Sequence, residues 1–302
     1  MIDLWIILTI AAAFSQNLRS ALQKHLTATL STAGAAYVRF YYAWPFAVLY
    51  CLAIKYYTGL PFPDLTPAFL LWCLLGGITQ ILFTFLLVRL FSFRNFAVGT
   101  TFSKTEVFQV AILGYLLLGD TVTGWAAFAI ALSLVGVVIL SMTKSHINFR
   151  NLLAGLSDKA TLIGLASGAF LGASVVFYRG AALSLGGEGF LMQAAFSLTV
   201  AVLMQTVIMG VYLIAKEPGQ MTQVLQSWRT ALPVGIVGVL ASIFWFSSFV
   251  LQNAAYVRAL GQIELVFTFI ASIFIFKEKT SRSEIVGIAL IIFAIIILAL
   301  YG

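Results

Sequence analysis

FSKTEVFQV, residues 102 to 110, places Lys104 and Glu106 inside a run from Phe96 to Leu118 that is otherwise apolar or small. An ionisable side chain at the centre of a membrane helix costs about 2.5 to 3.5 kcal/mol on insertion scales. Such a residue is by default a candidate for a functional site, and its partner has to be named. The stretch therefore predicts a membrane helix that carries functional side chains.

The composition assigns the chain to the membrane proteins. Of 302 residues, 62% are hydrophobic and 9% are charged, with a mean hydropathy of +1.05, whereas soluble domains are about 45 to 50% apolar. Most Lys and Arg lie between apolar runs, so the net charge of +7 indicates membrane topology and not nucleic-acid binding. Cys51 and Cys73 lie inside apolar runs, and we interpret both as packing residues.

A helix needs about 20 mainly apolar residues to cross a bilayer. Apolar runs of this length recur along the whole chain. We therefore predict an all-α integral membrane protein with ten transmembrane helices, arranged as two inverted five-helix repeats. The predicted spans are 4–23, 35–55, 68–88, 95–118, 122–142, 161–183, 189–214, 231–252, 256–276 and 284–301. The polar stretch 143–160 is the natural central loop. It divides the chain into two five-helix halves, residues 1–142 and 161–302.

The two halves resemble each other in sequence. Residues 77 to 140 align without a gap with residues 235 to 298. The alignment pairs Gly77 with Gly235, Asn95 with Asn253, Glu106 with Glu264 and Asp120 with Glu278. Because five is odd, the second repeat must be inverted in the membrane relative to the first. Inverted repeats are typical of secondary transporters, whose substrate sites lie near the bilayer midplane.

The distribution of Lys and Arg predicts the orientation. Eleven fall on the side opposite the termini: Lys24, Arg89, Arg94, Lys144, Arg150, Lys159, Lys216, Arg229, Lys277, Lys279 and Arg282. Three fall on the side that holds both termini: Lys55, Arg179 and Arg258. Because positive residues concentrate in cytoplasmic loops, we expect both termini outside the cytoplasm.

Glu106 and Glu264 lie midway along spans 4 and 9, at matching repeat positions. A carboxylate there can bind a proton and a cationic substrate in turn, and we expect Glu106 to face a water-accessible cavity. The alternative is a static buried salt bridge, in which Lys104 or Arg19 neutralises these acids. Residues two apart on a helix point about 200° from each other, so Lys104 cannot pair with Glu106. We expect Lys104 to pair with Glu264.

Further polar side chains extend the candidate site. Gln262 is the repeat counterpart of Lys104, and span 1 contributes the polar segment SQNLR. Gln16 and Asn17 either line the cavity or only hydrogen-bond to neighbouring helices. Arg19 and Arg39 are close enough to the cytoplasmic side for snorkelling to account for them.

Aromatic side chains are a further candidate for substrate binding. Together with the two acids they could form a cage for an organic cation, or they could be packing residues and an interfacial belt. The aromatic residues in question are Tyr37, Tyr41, Trp44, Phe244, Trp245, Phe246 and Phe249.

These features resemble the EamA-type ten-span transporters of the drug/metabolite transporter superfamily. That family carries a Glu in the fourth helix of each repeat and a Gly-Glu about fourteen residues later. TEVFQVAILGYLLLGD places Glu106 and Asp120 at that spacing, and IELVFTFIASIFIFKE places Glu264 and Glu278 likewise. YVRF around Arg39 resembles the family's second helix. Val107 and Leu265 stand where the family usually has proline, and Asp120 replaces the usual Glu. The resemblance implies two inverted repeats around a central cavity and movement of small organic solutes, often export.

We therefore predict an alternating-access transporter of the inner membrane for a small organic metabolite, an organic cation or a drug. The cavity would be walled by spans 1, 3, 4, 6, 8 and 9. Its partners would be the substrate, the lipid bilayer and a coupling proton or exchanged solute; we expect a monomer with no enzymatic activity, cofactor or metal, since no nucleotide-binding or catalytic motif is present. The alternative is a non-transporting membrane protein, such as a lipid-handling enzyme or a scaffold, with structural midplane acids.

Overall fold

The computed structural model of the chain describes residues 3–26, 29–90, 102–145, 159–187, 189–274, 277 and 280–302. Within these ranges all regular secondary structure is helical. The helices are α1 (Leu4–Leu26), α2 (Thr32–Tyr41), α3 (Trp44–Thr58), α4 (Pro67–Leu90), α5 (Glu106–Leu118), α6 (Gly124–Ser145), α7 (Lys159–Ser184), α8 (Phe190–Lys216), α9 (Gln220–Gln226), α10 (Trp228–Leu251), α11 (Ala254–Gly261), α12 (Ile263–Phe274) and α13 (Arg282–Tyr301).

Seven helical segments of the described chain are long and apolar enough to cross a membrane, which makes this a multi-pass membrane protein. They are Thr32–Thr58, Pro67–Leu87, Gly124–Met142, Lys159–Ser184, Phe190–Lys216, Trp228–Leu251 and Arg282–Tyr301. These segments correspond to predicted spans 2, 3, 5, 6, 7, 8 and 10.

The other three predicted spans are less regular. Span 1 forms the continuous helix α1, whose apolar character the SQNLR segment interrupts. Span 4 contains α5, which has 13 residues, and span 9 is divided between α11 and α12. Ten crossings and their inverted arrangement therefore stay a prediction.

Some predicted features fall in ranges that the structure does not describe. One is most of the predicted central loop 143–160, of which only the two ends are described: α6 extends to Ser145, and α7 begins at Lys159. The others are Arg94, Asn95, Arg150, Glu278 and Lys279.

The helices form two compact units. Unit 1 comprises Met1–Ile6, Leu82–Val176 and Asn253–Gly302, and unit 2 comprises Ile7–Ile81 and Phe177–Gln252. Each unit takes segments from both predicted repeats, so the packing units are not the repeats themselves.

Unit 1 is held together by a close crossing of α6 and α13. A Cβ atom built on Gly136 would lie 2.8 Å from the carbonyl oxygen of Gly287, and one built on Gly287 would lie 3.0 Å from that of Gly136. Val137, Leu140, Ile288 and Ile291 form the buried apolar cluster around this crossing. Membrane helices associate largely through such close packing, because lipid is as apolar as the side chains and gives little hydrophobic driving force.

Unit 2 is built on α3, α8 and α10, whose small residues surround Tyr178, Leu198 and Phe246. The hydroxyl of Thr199 on α8 donates to the carbonyl of Ala47 on α3 at 3.0 Å and ties these helices together. Cys51 and Cys73 are buried free thiols in two smaller apolar clusters, as expected for packing residues.

All three cations assigned to the side of the termini lie within helices, and Lys55 is in the last turn of α3. Arg179 belongs to α7 and donates from Nη1 to the carbonyls of Phe249 and Gln252, at 2.5 and 2.6 Å. Arg258 belongs to α11 and is 5% exposed. Interactions within the protein therefore account for the charges of Arg179 and Arg258, and the orientation stays a prediction.

Candidate functional site in unit 1

The candidate site lies at two helix discontinuities, one in each predicted repeat. Lys104 and Thr105 form a turn before α5, and Gln262 forms the turn between α11 and α12. Each turn contains a backbone hydrogen bond to the residue three positions earlier. Thr105 N–H donates to the carbonyl of Phe102 at 3.2 Å, and Gln262 N–H donates to the carbonyl of Ala259 at 3.2 Å. The repeat alignment pairs Lys104 with Gln262. Short 3₁₀-type turns inside helices often mark functional hinges.

Lys104 and Glu264 form the first ion pair of the site. Lys104 Nζ donates to Glu264 Oε1 at 2.5 Å, so the structure contains the pair that helical geometry predicts. The Lys104 side chain is 30% exposed and that of Glu264 is 9% exposed. Because Glu264 lies in the first turn of α12, its negative charge also interacts favourably with the helix dipole.

Glu106 and Arg258 form the second ion pair. Arg258 Nη2 donates to Glu106 Oε1, and the two side chains are 6% and 1% exposed. The position of Glu106 differs from the water-accessible one that we expected, because the guanidinium of Arg258 covers its carboxylate. Breaking such a buried pair by removing one partner typically costs about 3 to 5 kcal/mol, since the other charge is left uncompensated.

The two ion pairs belong to one electrostatic cluster. Lys104 lies within electrostatic range of Glu106 and Arg258 as well as Glu264, and Arg258 lies within range of both acids. Two positive and two negative charges sum to zero. This balance explains how unit 1 keeps four ionisable side chains among apolar helices.

Gln262 completes the cluster. It is 1% exposed, and among the described residues neither its Nε2 nor its Oε1 has a hydrogen-bond partner. It is the residue that directly follows α11, four positions after Arg258 and two before Glu264 in the sequence. A buried unsatisfied amide costs about 1 to 3 kcal/mol, so Gln262 has an unused donor and acceptor at the helix break that separates Arg258 from Glu264.

Two glycines of α7 let this helix approach the α5 side of the cluster closely. A Cβ atom on Gly168 would lie 2.7 Å from the carbonyl oxygen of Ser103. A Cβ atom on Gly172 would lie 3.1 Å from Val110 and 3.5 Å from the carbonyl oxygen of Glu106. The backbone that carries Glu106 is thus held against α7.

The other predicted site residues belong to unit 2. Trp245 Nε1 donates to Gln16 Oε1 at 3.1 Å, which links α10 to α1; this contact favours a helix-linking role for Gln16. Asn17 is half-buried in α1. Arg19 is 9% exposed, with its Cδ 3.4 Å from a Cβ position on Gly238, so it packs on α10 where we expected snorkelling.

The cage of aromatic residues and acids stays a prediction. Both acids have basic partners within unit 1, and the aromatic residues belong to unit 2. Trp44 and Phe246 pack in the apolar core of that unit. Tyr41 is half-buried, with its ring centroid 5.5 Å from that of Tyr37. These contacts support the packing alternative for Trp44 and Phe246.

The sequence interpretation missed the role of Arg258. A signal was present: the pentapeptide AAYVR occurs at residues 35–39 and again at residues 254–258. In both places it lies in a short helix, α2 or α11, that ends at a break before the next helix. Arg39 and Arg258 thus end the same pentapeptide in two similar local structures, although the repeat alignment does not pair them.

Comparisons with known proteins agree with this architecture. Residues 159–300 match the EamA-like transporter family, a range that nearly coincides with the second predicted repeat. No curated protein sequence matches the chain significantly. A crystal structure of another protein is similar over 98% of this chain and 96% of its own, with a TM-score of 0.70 at 13% identity, which supports the fold alone. Over residues 159–300, just under half of its length, the chain is similar to the EamA-like transporter family.

Proposed function

We propose that the protein is a secondary transporter that moves a small organic solute across the inner membrane by alternating access. The observation that carries this proposal is the neutral cluster of four charges at two helix breaks in unit 1. Discontinuous helices and intramembrane ionisable residues are typical of transporter sites. The direction would be outward, driven by proton coupling or by exchange.

The two ion pairs would have different roles. Lys104 and Glu264 form the more exposed pair, so water or a solute reaches them first. When Lys104 turns away, the Glu264 carboxylate can take a proton or a polar group of the substrate, and Gln262 can offer its amide. Glu106 and Arg258 are almost fully buried and would hold α5 against α11 during this exchange.

Solute flux tests the proposal directly. Proteoliposomes containing the pH-sensitive dye pyranine would be exposed to a panel of amino acids, organic anions and organic cations, with and without an imposed pH gradient. We expect at least one solute to give saturable, protein-dependent flux that the gradient changes.

If no solute of the panel shows saturable flux, either with the dye or with radiolabelled solute, the transport proposal is contradicted. It would favour the alternative of a non-transporting membrane protein. Flux that saturates but ignores the pH gradient would support exchange and exclude proton coupling.

The orientation is a separate proposal. Omitting Arg179 and Arg258 from the count leaves Lys55 as the one cation assigned to the side of the termini, which increases the bias toward the opposite side. We expect a C-terminal green fluorescent protein fusion to be dark, because this reporter does not fluoresce after export through the general secretion pathway, and a C-terminal alkaline phosphatase fusion to be active. The reverse pattern would show that the C-terminus is cytoplasmic.

A further inference from the structure

Unit 2 contains a second polar cluster inside the membrane-spanning region, built from four helices. Gln205 Nε2 on α8 donates to Gln80 Oε1 on α4 at 2.7 Å, and the Tyr178 hydroxyl on α7 lies 3.5 Å from the same oxygen. Arg39 on α2 lies within electrostatic range of Tyr178. The cluster shares no residue with the four charges of unit 1.

The cluster is rigidly supported on one side. Tyr178 and Gln205 are each 2% exposed. A Cβ atom on Gly76 would lie 2.7 Å from the Tyr178 ring, so only glycine allows α4 to come this close. The Tyr178 ring also packs on Phe246, with centroids 4.9 Å apart. Arg39 and Gln80 are only partly buried, which leaves this part of the cluster accessible.

Arg39 differs from Arg258 in its partner. Both arginines end an AAYVR pentapeptide in a short helix, and Arg258 is paired with Glu106. Among the described residues, Arg39 has no carboxylate partner. Its guanidinium carbon lies 4.9 Å from the centroid of the Phe40 ring, and it interacts electrostatically with Tyr178.

The acids of unit 2 that the structure describes are Asp64, in the segment before α4, and Glu217, at the end of α8, and neither forms an ion pair with Arg39. A cation inside a membrane helix is costly without a counter-charge. Arg39 therefore favours an anion that the described residues of unit 2 do not supply.

We propose that Arg39 binds the carboxylate of a small organic anion, so that the substrate of the transporter is a monocarboxylate. The inference rests on the proposed transport function. The planar guanidinium pairs with a carboxylate through two parallel hydrogen bonds, and the network of Tyr178, Gln80 and Gln205 offers polar groups beside it. One arginine balances one carboxylate, whereas a phosphate monoester carries about 1.5 to 2 negative charges at neutral pH.

The anionic class also agrees with unit 1. A cationic substrate needs an available carboxylate, but both acids of the cluster are matched by Lys104 and Arg258. Binding an organic cation there would require an ion pair to break first. Binding an organic anion at Arg39 would break no ion pair among the described residues.

Thermal unfolding of the purified protein tests the site without any flux. The probes are monocarboxylates from acetate to benzoate, each with its primary amide as a neutral control of the same shape, and inorganic phosphate. A ligand that binds only the folded state raises the melting temperature. We expect at least one carboxylate, and not its amide, to raise it.

The Arg39→Gln variant should weaken carboxylate binding about 10- to 100-fold, the effect expected on losing a hydrogen bond to a charged group. Lys55→Gln is the matched control, because it removes an exposed cation of the same unit and should leave binding unchanged. Should Arg39→Gln fail to fold, Arg39→Lys keeps the charge but removes the fork of donors and should weaken binding less.

Three results would overturn the site: no carboxylate stabilises more than its amide, stabilisation persists in the Arg39 variants, or phosphate replaces carboxylate as the ligand that depends on Arg39. Binding that depends on Arg39 without saturable flux would instead contradict transport and leave the anion site in place. Flux of cations alone, without carboxylate binding, would contradict the site and leave transport in place.

Discussion

Replacing Glu106 with glutamine lowers the free energy of unfolding by about 3 to 5 kcal/mol, because the buried guanidinium of Arg258 loses its carboxylate. The amide of glutamine keeps the shape of the side chain but not its charge, so the loss is electrostatic. Flux should disappear in the same variant, since α5 and α11 are no longer held at the helix break. Chemical unfolding in detergent and flux in proteoliposomes measure the two effects.

A double-mutant cycle identifies the partner. Adding Arg258→Met to Glu106→Gln removes the uncompensated charge and should recover more than half of the lost stability. Asp64→Asn is the matched control, because Asp64 is an exposed acid in a loop. If Glu106→Gln is as mild as Asp64→Asn, or if the double variant is less stable than the single one, the pair does not stabilise unit 1 as the structure indicates.

Replacing Glu264 with glutamine removes saturable flux at a smaller cost in stability. The Lys104 side chain is 30% exposed, so water compensates it when its partner is lost. We expect a loss of about 1 to 2 kcal/mol, between the values for exposed and buried ion pairs. Lys104→Met should also lower flux, because the carboxylate then has no cation with which to exchange.

The same measurements on the Glu264→Gln/Lys104→Met double variant separate transport from structure. Stability should return toward that of the unmodified protein, whereas flux should stay absent because no titratable pair remains. Lys55→Gln is the control for loss of a cation. Normal flux in both single variants across a pH series would show that Lys104 and Glu264 are not the coupling groups.

The pairing of Lys104 could be predicted because expected helical geometry excluded Glu106 and the internal repeat offered one other acid. Residues two apart point in nearly opposite directions, so Lys104 and Glu106 had to find different partners. Glu264 was the matching acid of the other repeat, and the structure joins it to Lys104.

The pairing of Glu106 could not be predicted in the same way. Arg258 aligns with Thr100 in the repeat alignment, so it has no charged counterpart. Val107 and Leu265 follow the two acids, so no proline indicates the helix breaks in the sequence. At Lys104 and Gln262 the breaks are visible only in the hydrogen bonds of the backbone.

The sequence by itself determined three properties: that the chain is a membrane protein, which residues form most of its helices, and which charges needed partners. These properties depend on consecutive residues, because hydropathy over about 20 positions governs insertion. Only the tertiary structure decided that Arg258 covers Glu106 and that, within the described ranges, Gln262 is buried without a hydrogen-bond partner and Arg39 has no carboxylate partner. Those facts depend on contacts between helices far apart in the chain, and close packing at small residues such as Gly168 and Gly76 sets which side chains meet.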